Sequence, residues 1–543
     1  MLRHPFILCN TLLFALVAQS APTVKLDGGT FQGSTNGTVS KFLGIPFGKS
    51  TAPPNRFRRP QLVDPYTGVH KATTFGPACP QQDVTSGFTL PTNFPQATTN
   101  ALVALIDQLI VTGPTSEDCL SVNVITPAGA KTTDELPVVA WIFGGGFEVG
   151  GSANYDGSAI VSRSVALKQP IIFVSMNYRL AAWGFIGGAQ VNGAGVSNLG
   201  LRDQRLALQW IQKYISAFGG DPSKVTIWGE SAGSISASLQ MLTNGGSSGG
   251  LYRAAFLESG SPYPVGNASL SQPFYDRLVV DAGCATALDT LNCLANVPLA
   301  KLTAAINLSP NFFQTLNQPW VPRVDGDFIP ETPYKLISAG QVAPVPFVNG
   351  DCDDEGTAFS LNFSNITTEA ELEAFVSSNE FPAASSGAVK NVAALYPANP
   401  AVGSPFGTGS ANALSSQFKR IAAIQGDYAF HSNRRFLLKN RASHQTIFSY
   451  LTKRNKFVPI LGASHASDLP QFFVAGELQD YLIHFVTGLD PNHGSALPHW
   501  PQYSLNNTAL LTLWDTAPKV NVTQDTFRAA GIDALTALVS QKI

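Results

Sequence analysis

Six short and strongly apolar runs, spaced by stretches long enough to hold a helix, constrain the fold of this chain more than any other feature. They occupy residues 138–143, 171–176, 225–228, 254–257, 347–349 and 446–451. Runs this short cannot be helices of their own, and apolar side chains on both faces suit strands covered from two sides. Helical stretches sit between several of them, for instance 201–218. The alternation predicts an α/β fold with a large, mostly parallel central sheet flanked by helices. Residues 23–47 alternate β-prone residues with Gly and Asn turns, which predicts a small N-terminal antiparallel sheet or a sheet edge. No composition break or long polar linker divides the chain, so residues 21–543 read as one domain. Reactive loops of such sheets gather at the carboxyl ends of the strands.

One run ends in a chemically pointed way. Val225-Thr226-Ile227-Trp228 passes through Gly229-Glu230-Ser231-Ala232-Gly233 into small and apolar residues suited to a packed helix. A serine on such a strand–turn–helix junction sits in a sharp, strained turn, and the flanking glycines avoid a Cβ collision there. Its hydroxyl then lies beside a helix N-terminus, which favours negative charge. The G-x-S-x-G pattern alone is weak. Gly245-Gly246-Ser247-Ser248-Gly249 matches it too, but has no strand before it and reads as a flexible loop.

Three further loops follow apolar runs. Trp141-Ile142-Phe143 leads into Gly144-Gly145-Gly146, whose unobstructed N–H groups can point at an oxyanion. The run at 347–349 leads to Asp351-Cys352-Asp353-Asp354-Glu355, and the run at 446–451 leads, after a loop, to Gly462-Ala463-Ser464-His465. The order is serine, acid, histidine. By charge alone Asp351, Asp353, Asp354 and Glu355 are equivalent as the acid. His431, His444, His484, His493 and His499 also lie downstream, but only His465 sits in a small-residue loop after a strong strand.

Charged residues make up 13% of the chain, against about 25% in an average soluble protein, and the net charge is −2. This gives no basic footprint for nucleic acid. Residues 6–18 form an apolar run behind Arg3 and His4, and Ala18-Gln19-Ser20 offers small residues at both cleavage positions. Residues 1–20 therefore read as a secretory signal peptide, with the mature chain starting at Ala21. No later run is long and apolar enough to suggest a transmembrane anchor. In an extracellular protein the N-x-S/T sites at Asn36, Asn267, Asn307, Asn362, Asn365, Asn506 and Asn521 become glycosylation candidates. Five cysteines remain after the signal: Cys79, Cys119, Cys284, Cys293 and Cys352. The odd count requires a free thiol or an intermolecular bridge, and spacing does not choose the pairing.

Taken together, several motifs resemble the type-B carboxylesterase/lipase family. They are Ser116-Glu117-Asp118-Cys119-Leu120, Gly144–Phe147, Asn177-Tyr178-Arg179, Phe218-Gly219-Gly220-Asp221-Pro222 and Gly229–Gly233. The resemblance spans residues 23–515. Phe143 stands where many members have histidine, which is similar to the branch of secreted fungal lipases and sterol esterases. The likeness implies an α/β-hydrolase fold, with Ser231 as nucleophile, Glu355 as acid and His465 as base. It also implies an oxyanion hole at Gly145, Gly146 and Ala232, and disulfides Cys79–Cys119 and Cys284–Cys293. No cofactor or metal is implied. The expected substrate is a small-molecule ester, with a lipid interface as a further expectation. Some members of the fold are adhesion proteins without catalysis, but those lack triad residues.

The clue to the substrate lies in the loop 80–118, which contains no Lys or Arg. Within it Leu102, Leu105, Ile106 and Leu109 share one helical face, and Asn100 is a candidate cap. Such a segment is either a helix buried in the core or a lid-like flap over an apolar acyl site. A flap predicts long-chain acylglycerols or sterol esters; a rigid cover predicts short-chain or aryl (feruloyl-type) esters.

Overall fold

The computed structural model describes residues 21–85, 94–111 and 113–542. The signal segment expected at 1–20 lies outside the described residues, as do 86–93 and Thr112 of the loop 80–118.

The six apolar runs are neighbours in one eleven-stranded sheet. Ala509–Trp514, Ile447–Lys453, Phe347–Cys352, Ala254–Glu258, Gly220–Glu230, Leu136–Ile142 and Ile172–Met176 lie side by side and parallel in that order. Antiparallel strands finish both edges: Val520–Gln524 on one side, and Ser121–Pro127, Val39–Pro46 and Ser34–Asn36 on the other. The strands Ile172–Met176, Ala254–Glu258 and Phe347–Cys352 are buried along their whole length, and Leu136–Ile142 from Val138 onward, which is why they read as unbroken apolar runs rather than alternating ones. Ala509–Trp514 belongs to the same parallel series but was not singled out in the sequence.

The N-terminal expectation resolves into two parts. Thr23–Leu26 and Gly28–Gln32 pair antiparallel, and Thr67–Lys71 adds a third strand parallel to the second. That third strand is almost wholly exposed and so has no apolar alternation to betray it. His70 anchors it by stacking on Phe31 at 4.6 Å. The stretch expected as helix at 201–218 is an α-helix over Leu199–Tyr214 that tightens into a 3₁₀ turn over Ile215–Phe218.

Cys79 is bonded to Cys119 and Cys284 to Cys293, leaving Cys352 as a buried thiol. Inside the first of these loops a helix runs over Gln96–Leu109. It begins four residues before Asn100, which is therefore not its cap; the Asn100 Oδ1 accepts from Gln96 Nε2 within the first turn. Pro95 precedes the helix, and the polar run 96–100 carries no apolar period from which the start could be read. The helix is not buried all round. Leu102 packs in a cluster with Leu361, Phe418 and Leu461, and Thr98 Oγ1 donates to the Pro459 carbonyl at 2.8 Å, while Val103 stays exposed. Among the described residues no helix is long and apolar enough to cross a membrane.

Candidate active site

The strand Gly220–Glu230 delivers Ser231 into a backbone conformation of φ 55° and ψ −126°, and the helix Ala232–Gln240 starts immediately after it. A non-glycine residue held there stores strain of about 1–3 kcal/mol. The turn is tight enough to exclude side chains on both flanks. A Cβ on Gly229 would lie 2.4 Å from the Gly233 carbonyl carbon, and one on Gly233 would lie 2.0 Å from the Ile142 oxygen. The second G-x-S-x-G match falls in turns with no strand before it, as its composition suggested.

His465 meets the serine. Its Nε2 is 2.8 Å from Ser231 Oγ, and its Nδ1 is 2.6 Å from Glu355 Oε2. Two aromatic rings fix the imidazole, Phe430 at 4.6 Å and Phe359 at 5.2 Å between centroids. The other oxygen of Glu355 accepts from the Cys352 N–H at 2.6 Å and from Ser259 Oγ at 2.7 Å, which turns Oε2 toward the histidine. The histidine loop is tied to the acid loop by a parallel bridge, Asp354 with Ser464.

The three aspartates that charge alone could not separate from Glu355 are engaged elsewhere. Asp351 receives Arg434 Nε at 2.7 Å and lies 2.9 Å from His431 Nδ1. Asp353 pairs with Lys456 at 2.7 Å. Asp354 takes Lys456 and the N–H groups of Phe406 and Ala463. Of the other histidines, His431 is buried against Asp351, His484 bonds Gln169, and His444, His493 and His499 are exposed.

Gly145 and Gly146 turn at φ 99° and 62° beside Ser231. A Cβ on Gly145 would lie 2.3 Å from the Val149 oxygen, so glycine is required there. Neither N–H donates to a backbone group among the described residues. Ala232 is the first residue of its helix, so its N–H has no partner within the helix. Phe143, in place of a histidine, stacks on Tyr178 at 4.5 Å, and its carbonyl accepts from the Tyr178 hydroxyl at 2.7 Å. That substitution fills core space and leaves the glycine backbone free.

Acidic groups unforeseen in the sequence crowd the histidine. Glu230 Oε1 is 3.3 Å from His465 Nε2, and Glu258 and Asp468 are fully buried nearby. Burial pushes the Glu230 carboxyl up to about 8, and burial with its acidic neighbours also raises Glu258 and Asp468. Burial depresses the His465 imidazolium, but Glu355 and Glu230 outweigh it and hold the group above an ordinary histidine, at about 9. Glu230 was legible as part of the serine motif; Glu258 and Asp468 gave no pattern, because their neighbourhood is made by three separate loops.

Ser231, His465, Gly145, Gly146 and Ala232 open onto one cleft, whose space is about 840 Å³ with open solvent included. Its walls are chiefly apolar, with Phe312, Phe313, Phe359 and Phe430 on one side and Leu105 and Leu109 of the helix Gln96–Leu109 also contributing. Trp320, close in sequence to Phe312 and Phe313, is buried near Phe274 and does not line this cleft.

The sequence profile of the carboxylesterase family matches residues 20–529. Lipase 4 of Diutina rugosa is 39% identical over 95% of this chain and 96% of its own length. Secreted lipase 1 of Botryotinia fuckeliana is 40% identical over 95% and 93%. The crystal structure of Aspergillus niger EstA superposes with a TM-score of 0.81 at 26% identity, covering 96% of this chain and 99% of that one.

Proposed function

The chain belongs to the carboxylesterase family and is a carboxylic ester hydrolase of α/β-hydrolase fold, and from that premise we propose that it is a secreted lipase working through Ser231, His465 and Glu355. The single observation that carries the catalytic assignment is the continuous chain from Ser231 Oγ through His465 to Glu355, at 2.8 and 2.6 Å.

His465 Nε2 takes the hydroxyl proton as Ser231 attacks the ester carbonyl, and Glu355 holds the Nδ1–H tautomer and the imidazolium that forms. The N–H groups of Gly145, Gly146 and Ala232 receive the oxyanion; each such donor stabilises the tetrahedral state by about 3–4 kcal/mol. His465 then protonates the leaving alcohol, and water repeats the sequence on the acyl-enzyme.

The apolar cavity supports an apolar acyl chain as the specificity element. The loop 80–118 serves as its lid-like cover, with Leu105 and Leu109 facing the acyl group. The relatives named as secreted lipases support export, with residues 1–20 as the signal peptide and action at a lipid surface.

The deciding experiment compares p-nitrophenyl esters of increasing chain length, triolein and cholesteryl oleate, with Ser231→Ala as control. Turnover of long-chain esters that disappears in Ser231→Ala is expected. A sharp optimum at the shortest chains without triolein turnover would overturn the lipase reading, and an active Ser231→Ala protein would overturn the catalytic one.

A further inference from the structure

Beside the catalytic cleft lies a second, much smaller one, and Tyr263, Leu316, Gln318 and Val321 line both. Arg323 lines the second cavity and is only 7% exposed. A buried guanidinium is ordinarily neutralised by a carboxylate, because a cation taken out of water is strongly destabilised without one. Arg323 pairs with no carboxylate among the described residues. Its Nε donates to Ser271 Oγ at 3.0 Å and its Nη2 to the Gln318 carbonyl at 3.1 Å, both neutral acceptors. Its Nη1 donates to none of the described groups. Arg56, Arg179, Arg420, Arg434 and Arg435 are buried beside an acid, whereas Arg441, equally buried, meets only the neutral Gln445 Oε1 and lines neither cavity. Burial drops the Arg323 guanidinium to about 10, and only tyrosines oppose the fall.

We propose that Arg323 and the cavity it lines form a carboxylate-binding subsite, which takes the head of a free fatty acid whose tail lies back in the apolar catalytic cavity. The inference rests on the ester-hydrolase reading above, since the acid released by that reaction is the ligand. The arrangement argues for it: a cation lining one cleft, chiefly apolar walls in the other, and four residues lining both. Gln318 links the subsite to the reaction, because its carbonyl accepts from Arg323 while its Nε2 donates to the Gly146 carbonyl at 2.8 Å. Occupation by the product acid would block the acyl cavity and slow turnover.

The test uses the full-length protein hydrolysing p-nitrophenyl butyrate, with octanoate, octanamide and acetate as inhibitors below micelle-forming concentrations. A charge-assisted hydrogen bond to the guanidinium should make octanoate about tenfold more potent than neutral octanamide. Acetate at the same concentration should have no effect. Arg323→Met should bring the octanoate preference down to about parity, the loss expected when the charged partner is removed. Should that variant not fold, Leu270→Trp tests the same point, because Leu270 is half exposed and lines the subsite. Equal potency of octanoate and octanamide on the wild-type protein, acetate as potent as octanoate, or an undiminished preference in either variant overturns the proposal. Octanoate binding to Ser231→Ala, measured by calorimetry, reads the subsite independently of turnover, so a failed catalytic assignment and a failed subsite give different results.

Discussion

The Oε1 oxygen of Glu230 stands 3.3 Å from Nε2 of His465, the same nitrogen that meets the Ser231 hydroxyl at 2.8 Å. The histidine works as a base only when neutral, so activity must fall as pH drops through its folded pKa. Against burial, Glu355 and Glu230 hold that value near about 9. Glu230→Gln removes one of the two acids, and the acid limb of kcat/KM should move to lower pH by on the order of one unit. An unmoved limb would show that Glu230 does not sense the histidine charge.

Glu355→Gln keeps the size of the side chain but presents an amide to Nδ1 of His465. A wrong tautomer should cost about 10⁴-fold in kcat. Asp353→Asn should instead lower thermal stability, because Asp353 faces Lys456 rather than the histidine, and kcat of the folded protein should hold. A kcat loss in the aspartate variant equal to that of the glutamate variant would contradict the assignment of the acid.

The two G-x-S-x-G segments should respond differently to the same change. Gly233→Ala places a methyl group 2.0 Å from a backbone oxygen and should prevent folding to an active protein. Gly245→Ala meets no atom within 4 Å and bears only its positive φ of 65°, which costs about 1–2 kcal/mol. Expression yield and thermal denaturation of the pair check this.

Arg434 and Arg435 converge on Asp525, with Arg434 reaching on to Asp351. Asp525→Asn leaves the buried Arg435 without its carboxylate and Arg434 with Asp351 alone, and should destabilise by about 3–5 kcal/mol in denaturant titration. Burial alone would raise the Asp525 carboxyl, but the two arginines hold it well below the usual range. Its folded value is thus depressed, so the contribution is present above the unfolded pKa of about 3.9 and is lost as pH falls through the folded value. The variant should therefore lose less stability than the wild type on acidification below that point.

Exposure sorts the glycosylation candidates. Asn36, Asn267, Asn365 and Asn506 are exposed, whereas Asn362 Nδ2 donates to the Phe313 carbonyl and Asn307 Oδ1 accepts from the Asp83 N–H. Glycopeptide mapping of secreted protein should find the first four occupied ahead of Asn307 and Asn362. The opposite order would mean that these side-chain hydrogen bonds form only after the sugars are attached.

The sequence by itself determined the sheet and the elbow. Buried parallel strands must be apolar on both faces, and a serine turn between packed strand and helix must be flanked by glycine; both demands are local and leave a trace in residue order. It also supplied Glu355, but only through family likeness, since Asp351, Asp353 and Asp354 carry the same charge. The tertiary structure separated them by giving each aspartate a cation and Glu355 the histidine. Glu230, Glu258 and Asp468 around His465, the apolar walls of the cleft at Ser231 and the lack of a carboxylate beside Arg323 among the described residues were decided only there. Each depends on side chains brought together from distant segments, and burial and charge pairing are properties of that assembly which no single stretch of chain records.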